Sequence, residues 1–164
     1  MAVADGAGGY DTVPANDGRE RDAALDRAVR ALARRDHSAA GLKAKLDRAG
    51  VSEPAQAHVL EALERVGYVD DARFARDRAV RLAERGYGDE WIRADLVSQG
   101  VATETASASV ALLEPEEDRA QRVAAKAGND VRAVRLLARR GFSDGTLEGI
   151  LARRVARDGS EGVG

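Results

Sequence analysis

This sequence predicts an all-α fold, an elongated array of three tandem three-helix repeats. Three observations predict it. The composition favours helices, with only three Pro among 164 residues. Apolar residues recur at helical spacing on both sides of breaks marked by Gly, Ser or Asp. One short string occurs three times along the chain.

The apolar fraction is 44%, yet aromatic residues make up only 4%, so the core is expected to be thin, aliphatic and Ala-rich. The chain has no Cys, which excludes disulfides, thiolate metal sites and Cys nucleophiles and fits a reducing cytoplasm. The Gly/Ala/Asp-rich start has neither a basic n-region nor an apolar h-region, so it reads as a disordered tail (1–19) and not as a signal peptide or anchor. A second disordered tail is expected at 158–164. No apolar run approaches the ~20 residues of a membrane span, so a soluble protein is expected.

The recurring string is Leu32-Ala33-Arg34-Arg35-Asp36-His37-Ser38, then Leu82-Ala83-Glu84-Arg85-Gly86-Tyr87-Gly88, then Leu137-Ala138-Arg139-Arg140-Gly141-Phe142-Ser143. Taken as three copies in register, it places each string at the turn between the first and second helices of a unit. The repeats are then 20–68, 69–115 and 116–157.

In the first repeat Leu25, Ala28, Val29, Leu32 and Ala33 form the stripe of helix one, and Leu42, Leu46 and Ala49 that of helix two, which Ser38 caps. Gly50 stops it, and Ser52 with Pro54 starts a third helix striped by Ala55, Val59, Ala62, Leu63 and Val66. In the second repeat Asp70 caps a helix holding Phe74, Ala79 and Leu82; Ile92 and Leu96 follow the turn, and Thr103 caps a third helix with Ala106, Val110 and Leu113. The third repeat carries Ala120, Val123 and Ala124, breaks at Gly128-Asn129-Asp130, resumes with Val134, Leu137 and Ala138, and ends with Ser143 capping Leu147, Ile150 and Leu151. Nine helices result, and Gly145 and Gly149 make the last one the likeliest to fray.

Catalytic chemistry finds little support. His37 and His58 have no second ligand at metal spacing, and no Gly-rich phosphate loop or nucleophile elbow occurs. Asp70-Asp71 at a helix start caps and complements the dipole more readily than it performs acid/base work. The alignment sets His37 opposite Tyr87 and Phe142, which reads as a wedge between helices and not as a ligand.

Charge is distributed unevenly behind a net value of -2. Residues 69–118 hold 6 basic and 12 acidic residues, whereas 119–164 hold 10 basic and 5 acidic. An acidic middle followed by a basic end suits a partner with separate cationic and anionic zones, such as a protein carrying nucleic acid. Arg34, Arg35, Arg85, Arg139 and Arg140 sit where helices end and complement the dipole there. Arg132, Arg135, Arg153, Arg154 and Arg157 exceed what caps require, and they either line a solvated face or contact phosphate or acidic protein. The candidates for partner binding are therefore Arg85, Tyr87, Trp91, Arg93, Arg132, Arg135, Arg139, Arg140, Arg153 and Arg154.

The string Gly67-Tyr68-Val69-Asp70-Asp71-Ala72-Arg73-Phe74-Ala75, followed by Arg85-Gly86-Tyr87-Gly88, resembles the RecX family, as do the strings at 32–38 and 137–143. The resemblance runs from about residue 24 to 155. It implies tandem three-helix repeats that bind along the groove of the RecA filament on single-stranded DNA and suppress its ATPase, strand-exchange and co-protease activities, as a monomer without enzymatic activity or cofactor and with direct DNA contact. The runner-up reading is a helix-turn-helix transcription regulator, opposed by Asp95 in the second helix of repeat two. A helical-repeat scaffold for another protein is a third.

Overall fold

A computed structural model describes residues 15–128 and 131–161. Nine α-helices and no strands occur among the described residues: α1 (Ala15–Leu32), α2 (Ala39–Arg48), α3 (Glu53–Arg65), α4 (Asp71–Glu84), α5 (Asp89–Ser98), α6 (Thr103–Ala111), α7 (Glu116–Lys126), α8 (Val131–Arg139) and α9 (Asp144–Glu161). Extensive helix packing is confined to three groups: α1–α3, α4–α6 and α7–α9. Each group buries its own core, because helices of about 10 residues are marginal until an apolar face is covered. The three cores centre on Leu42 and Leu46, on Ile92 and Leu96, and on Leu137 with Phe142.

The capping chemistry follows the sequence in most places. The Ser38 hydroxyl accepts the Gly41 N–H at 3.0 Å, and the Asp70 carboxylate accepts that of Arg73 at 2.9 Å. Ser52 stands at the α3 N-cap, but its hydroxyl donates to Glu20 at 2.9 Å instead of capping the helix. The α6 N-cap is Ala102, with Thr103 one residue inside the helix. The break expected at Gly128-Asn129-Asp130 keeps Gly128 in a left-handed conformation, and Asn129 and Asp130 lie outside the described residues. Residues 1–14 and 162–164 of the expected tails also lie outside the described residues. Residues 15–19 and 158–161 are helical instead, α1 being favoured by Asp17 in its first turn.

Helix α1 packs on a face rotated from the expected one: Ala28 and Leu32 meet the core as expected, but Leu25 and Val29 do not. Ala24 and Ala28 are fully buried, while Leu25 and Val29 are about half exposed. Small side chains let α1 approach α3 closely, and the same solution recurs as Ala75 and Ala79 in α4 and as Ala120 and Ala124 in α7.

The third copy of the string is out of phase with the other two. Leu137–Ser143 joins α8 to α9, the second and third helices of its group, whereas the strings at 32–38 and 82–88 join first to second. Its structural counterparts are Leu46-Asp47-Arg48-Ala49-Gly50-Val51-Ser52 and Leu96-Val97-Ser98-Gln99-Gly100-Val101-Ala102. All three close with the same bonds: Gly50, Gly100 and Gly141 donate to Asp47, Val97 and Ala138, and Val51, Val101 and Phe142 donate to Leu46, Leu96 and Leu137. Each glycine has φ between 71° and 82°, as a helix stop of this kind requires. Phe142 therefore corresponds to Val51 and Val101, while His37 and Tyr87 alone share the position before a second-helix N-cap.

Candidate partner-binding surfaces

The joints between groups place the candidate residues, and one geometry serves both. Asp71, the first residue of α4, accepts the N–H of Ala39 at the start of α2 at 2.8 Å. Glu116, the first residue of α7, accepts the N–H of Asp89 at the start of α5 at 2.7 Å. A carboxylate at a helix N-terminus answers both an orphan N–H and the helix dipole. The glycine ending the second helix then meets the preceding group: a Cβ on Gly100 would stand 2.2 Å from the Ala40 Cβ, and one on Gly141 2.6 Å from that of Trp91.

At the second joint the two backbones bond directly, Gly88 N–H to Arg140 C=O at 2.7 Å and Glu90 N–H to Gly141 C=O at 3.1 Å. Gly88 permits this approach, because a Cβ there would overlap the Gly141 carbonyl. Tyr87, held between α4 and α5, stacks on Trp91 with ring centres 4.1 Å apart. Two cations flank its ring, Arg85 from its own group at 5.5 Å and Arg140 from the next at 5.9 Å.

Beneath this cluster lies a buried charged network. Arg119, nearly inaccessible, pairs with Asp89 and donates to the carbonyls of Tyr87 and Glu114 at 3.0 Å each. The second carboxylate oxygen of Glu116 takes the Ser143 N–H at 3.1 Å, the Ser143 hydroxyl at 2.5 Å and the Thr146 hydroxyl at 2.8 Å. Glu116 thus holds the starts of α5 and α9 together. Burial pushes the Glu116 carboxyl up, but the hydrogen bonds from Ser143, Asp89 and Thr146 outweigh it and leave it below its ordinary range. Burial instead raises the Asp89 carboxyl, with the Glu116 charge adding to that rise against the pull of Arg119.

The sequence candidates fall into separate places. Arg85, Tyr87, Trp91 and Arg140 come together at the joint, with Arg93 beside them, 3.7 Å from Asp89. Arg132, Arg135 and Arg139 share the outer face of α8 with Ala138 and line a shallow basic groove. Arg153 is exposed and Arg154 half-buried on α9, and the side chain of Arg157 lies outside the described residues. Glu116 and Asp89 escaped the sequence reading because acidic residues in a first turn look like ordinary dipole partners, and Arg119 because nothing local marks it as buried. A 45-residue offset that superposes Asp71 on Glu116 and Ala75 on Ala120 was the available signal. Among the described residues there is no cluster of three or more His, Asp or Glu able to hold a metal, and no helix long and apolar enough to cross a membrane.

Comparison with known proteins decides the family. The family model for the first three-helix domain of RecX matches residues 24–63. The regulatory protein RecX of Thermus thermophilus is 38% identical over 141 residues, covering 85% of this chain and 96% of the relative. That of Xanthomonas campestris pv. campestris is 33% identical over 133 residues, covering 75% and 82%. The chain belongs to the RecX family. Solved RecX structures share its fold: RecX from Lactobacillus salivarius superposes with a TM-score of 0.73 at 15% identity, covering 83% of this chain and 97% of that one. A second RecX regulatory protein gives 0.74 at 18%, covering 84% and 75%. The helical array is therefore that of RecX proteins, and a regulatory role comes with the family.

Proposed function

We propose that this RecX-family chain binds the RecA filament on single-stranded DNA and restrains it, lowering ATPase, strand-exchange and co-protease activity and so tempering DNA repair and recombination. It acts in the cytoplasm as a monomer and without catalysis of its own. The observation that carries the reading is the repeated joint, Asp71 on Ala39 and Glu116 on Asp89. The same carboxylate-to-N–H contact joins each group to the next, and a ligand built of like units suits a polymer whose binding sites also repeat. Contacts made by successive groups on successive RecA protomers act as linked sites, so affinity rises steeply on the filament while free RecA binds weakly.

Charge supplies the orientation in this proposal. The acidic second group lies on basic RecA surface, and the basic third group lies near DNA or acidic RecA surface. The α8 face of Arg132, Arg135 and Arg139 is suited to phosphates or carboxylates. Direct reading of DNA by α5 is disfavoured, since its Asp95 is engaged with Arg78 and its first turn is acidic.

The test is RecA-driven ATP hydrolysis on single-stranded DNA with Arg135, Arg139 and Arg153 reversed to Glu. Arg140 is left in place because it packs over Tyr87 at the joint. Inhibition should be lost while helix content and thermal stability persist. Undiminished inhibition by the folded variant removes the third group from the mechanism, and no inhibition by the unaltered chain removes RecA.

A further inference from the structure

A groove of about 400 Å³ runs between α1 and α2 in the first group. Arg27 and Arg30 of α1 and Arg34 of the turn after it line one wall, and Lys45 and Arg48 of α2 the other. Arg27 and Arg30 are one helical turn apart on α1, about 4.5 Å at 1.5 Å per residue. The floor is narrow and aliphatic, made by the methyls of Ala31 and Ala49, beneath which Leu42 and Leu46 are buried in the core, and it has no aromatic or amide side chain. Among the described residues only Arg30 of the five has an acidic partner, Asp26 at 3.4 Å, and that pair is solvent-exposed.

The second group shows what such a groove holds when it is satisfied internally. The counterparts superpose through the buried alanines, Ala24 on Ala75 and Ala28 on Ala79, and through the glycine stops, Gly50 on Gly100. Arg27 then corresponds to Arg78, and Lys45 to Asp95. Arg78 is held by Asp95 through both carboxylate oxygens, one at 2.8 Å. In the first group a lysine occupies the place of that carboxylate, so Arg27 faces another cation. The cations cannot be attributed to the helix dipole alone, because Arg27 lies well inside α1, away from its last turn.

We propose that the α1/α2 groove of the first group is a docking site for an acidic amphipathic helix of a partner protein, whose carboxylates take the place that Asp95 holds in the second group. Two rows of cations across an aliphatic floor match a helix with an apolar ridge and acidic flanks. The arginine fork takes a carboxylate in two parallel hydrogen bonds, as Arg78 does in the second group. Single-stranded nucleic acid is the poorer fit, since the groove offers no ring on which a base can stack.

The experiment uses the full chain and a labelled synthetic helix of about 14 residues, four turns, with Leu along one face and Glu elsewhere. A scrambled peptide of the same composition and oligo-dT serve as the other probes, all read by fluorescence anisotropy. The helix should bind in a salt-sensitive manner and the scrambled peptide at least about tenfold more weakly. Lys45→Asp, which recreates the second group's internal pair with Arg27, should weaken helix binding about tenfold without lowering thermal stability. Arg27→Glu with Arg34→Glu should abolish it, with helix content as the check on folding. Equal binding of the scrambled peptide, unchanged helix binding by Lys45→Asp, or loss of oligo-dT binding in these variants without any helix binding each overturns the proposal.

Discussion

The Glu116 carboxylate accepts the backbone N–H of Asp89 at 2.7 Å while its other oxygen takes both the N–H and the hydroxyl of Ser143. One side chain therefore caps helices in two different groups. Glu116→Ala removes the acceptor of four donors in a largely buried site, the N–H groups of Asp89 and Ser143 and the hydroxyls of Ser143 and Thr146, and should destabilise the joint by about 2–4 kcal/mol. Asp71→Ala, which removes one such bond to Ala39, should cost about 1 kcal/mol. Trp91 is the chain's single tryptophan and lies at this joint, so its emission reports the difference: Glu116→Ala should shift it to the red at lower urea than Asp71→Ala does.

The same carboxylate sets an acid limit. Its folded value lies below the ordinary 4.5, so its contribution is fully present above that value and is lost as pH falls through the lowered one. Glu116→Gln should remove this component from an acid unfolding series, and an unchanged acid limb in Trp91 fluorescence contradicts the assignment.

His37 lies at the first joint, and burial, reinforced by Arg35 and Lys45 and opposed by Asp36, holds its imidazole below the usual 6.5. Its Nε2 is buried without a partner. A depressed histidine contributes stability above its unfolded value and loses it as pH falls through the folded one, so stability should decline as pH falls below the ordinary 6.5. His37→Phe, in the position that Tyr87 fills in the second group, should flatten that decline, as urea midpoints across the range will show.

Two glycines should respond in opposite directions to alanine. Gly141 has φ 71° and no room beside Trp91, so Gly141→Ala should cost about 2 kcal/mol or more. Gly145 lies in α9 with nothing within 4 Å of a new Cβ, and Gly145→Ala should stabilise by up to about 1 kcal/mol. Thermal unfolding of the two variants distinguishes them directly.

Much of this architecture was legible in the residues themselves. Helical spacing and the caps at Ser38 and Asp70 are local signals, set within one or two turns, and the motif around Tyr68–Phe74 pointed to the family before any coordinates did. Tertiary structure decided which repeats correspond. Leu, Arg and Gly end a helix in the same way wherever it lies, so Leu137–Ser143 matched the first-to-second turns as well as its true counterparts at 46–52 and 96–102. The grouping of α7 with α8 and α9 resolves that ambiguity, because it makes Leu137–Ser143 a second-to-third turn. The inward face of α1, the double cap by Glu116 and the unanswered cations of the first groove were likewise decided by packing. Each depends on residues in another helix, and a periodic pattern along one helix carries no information about its neighbour.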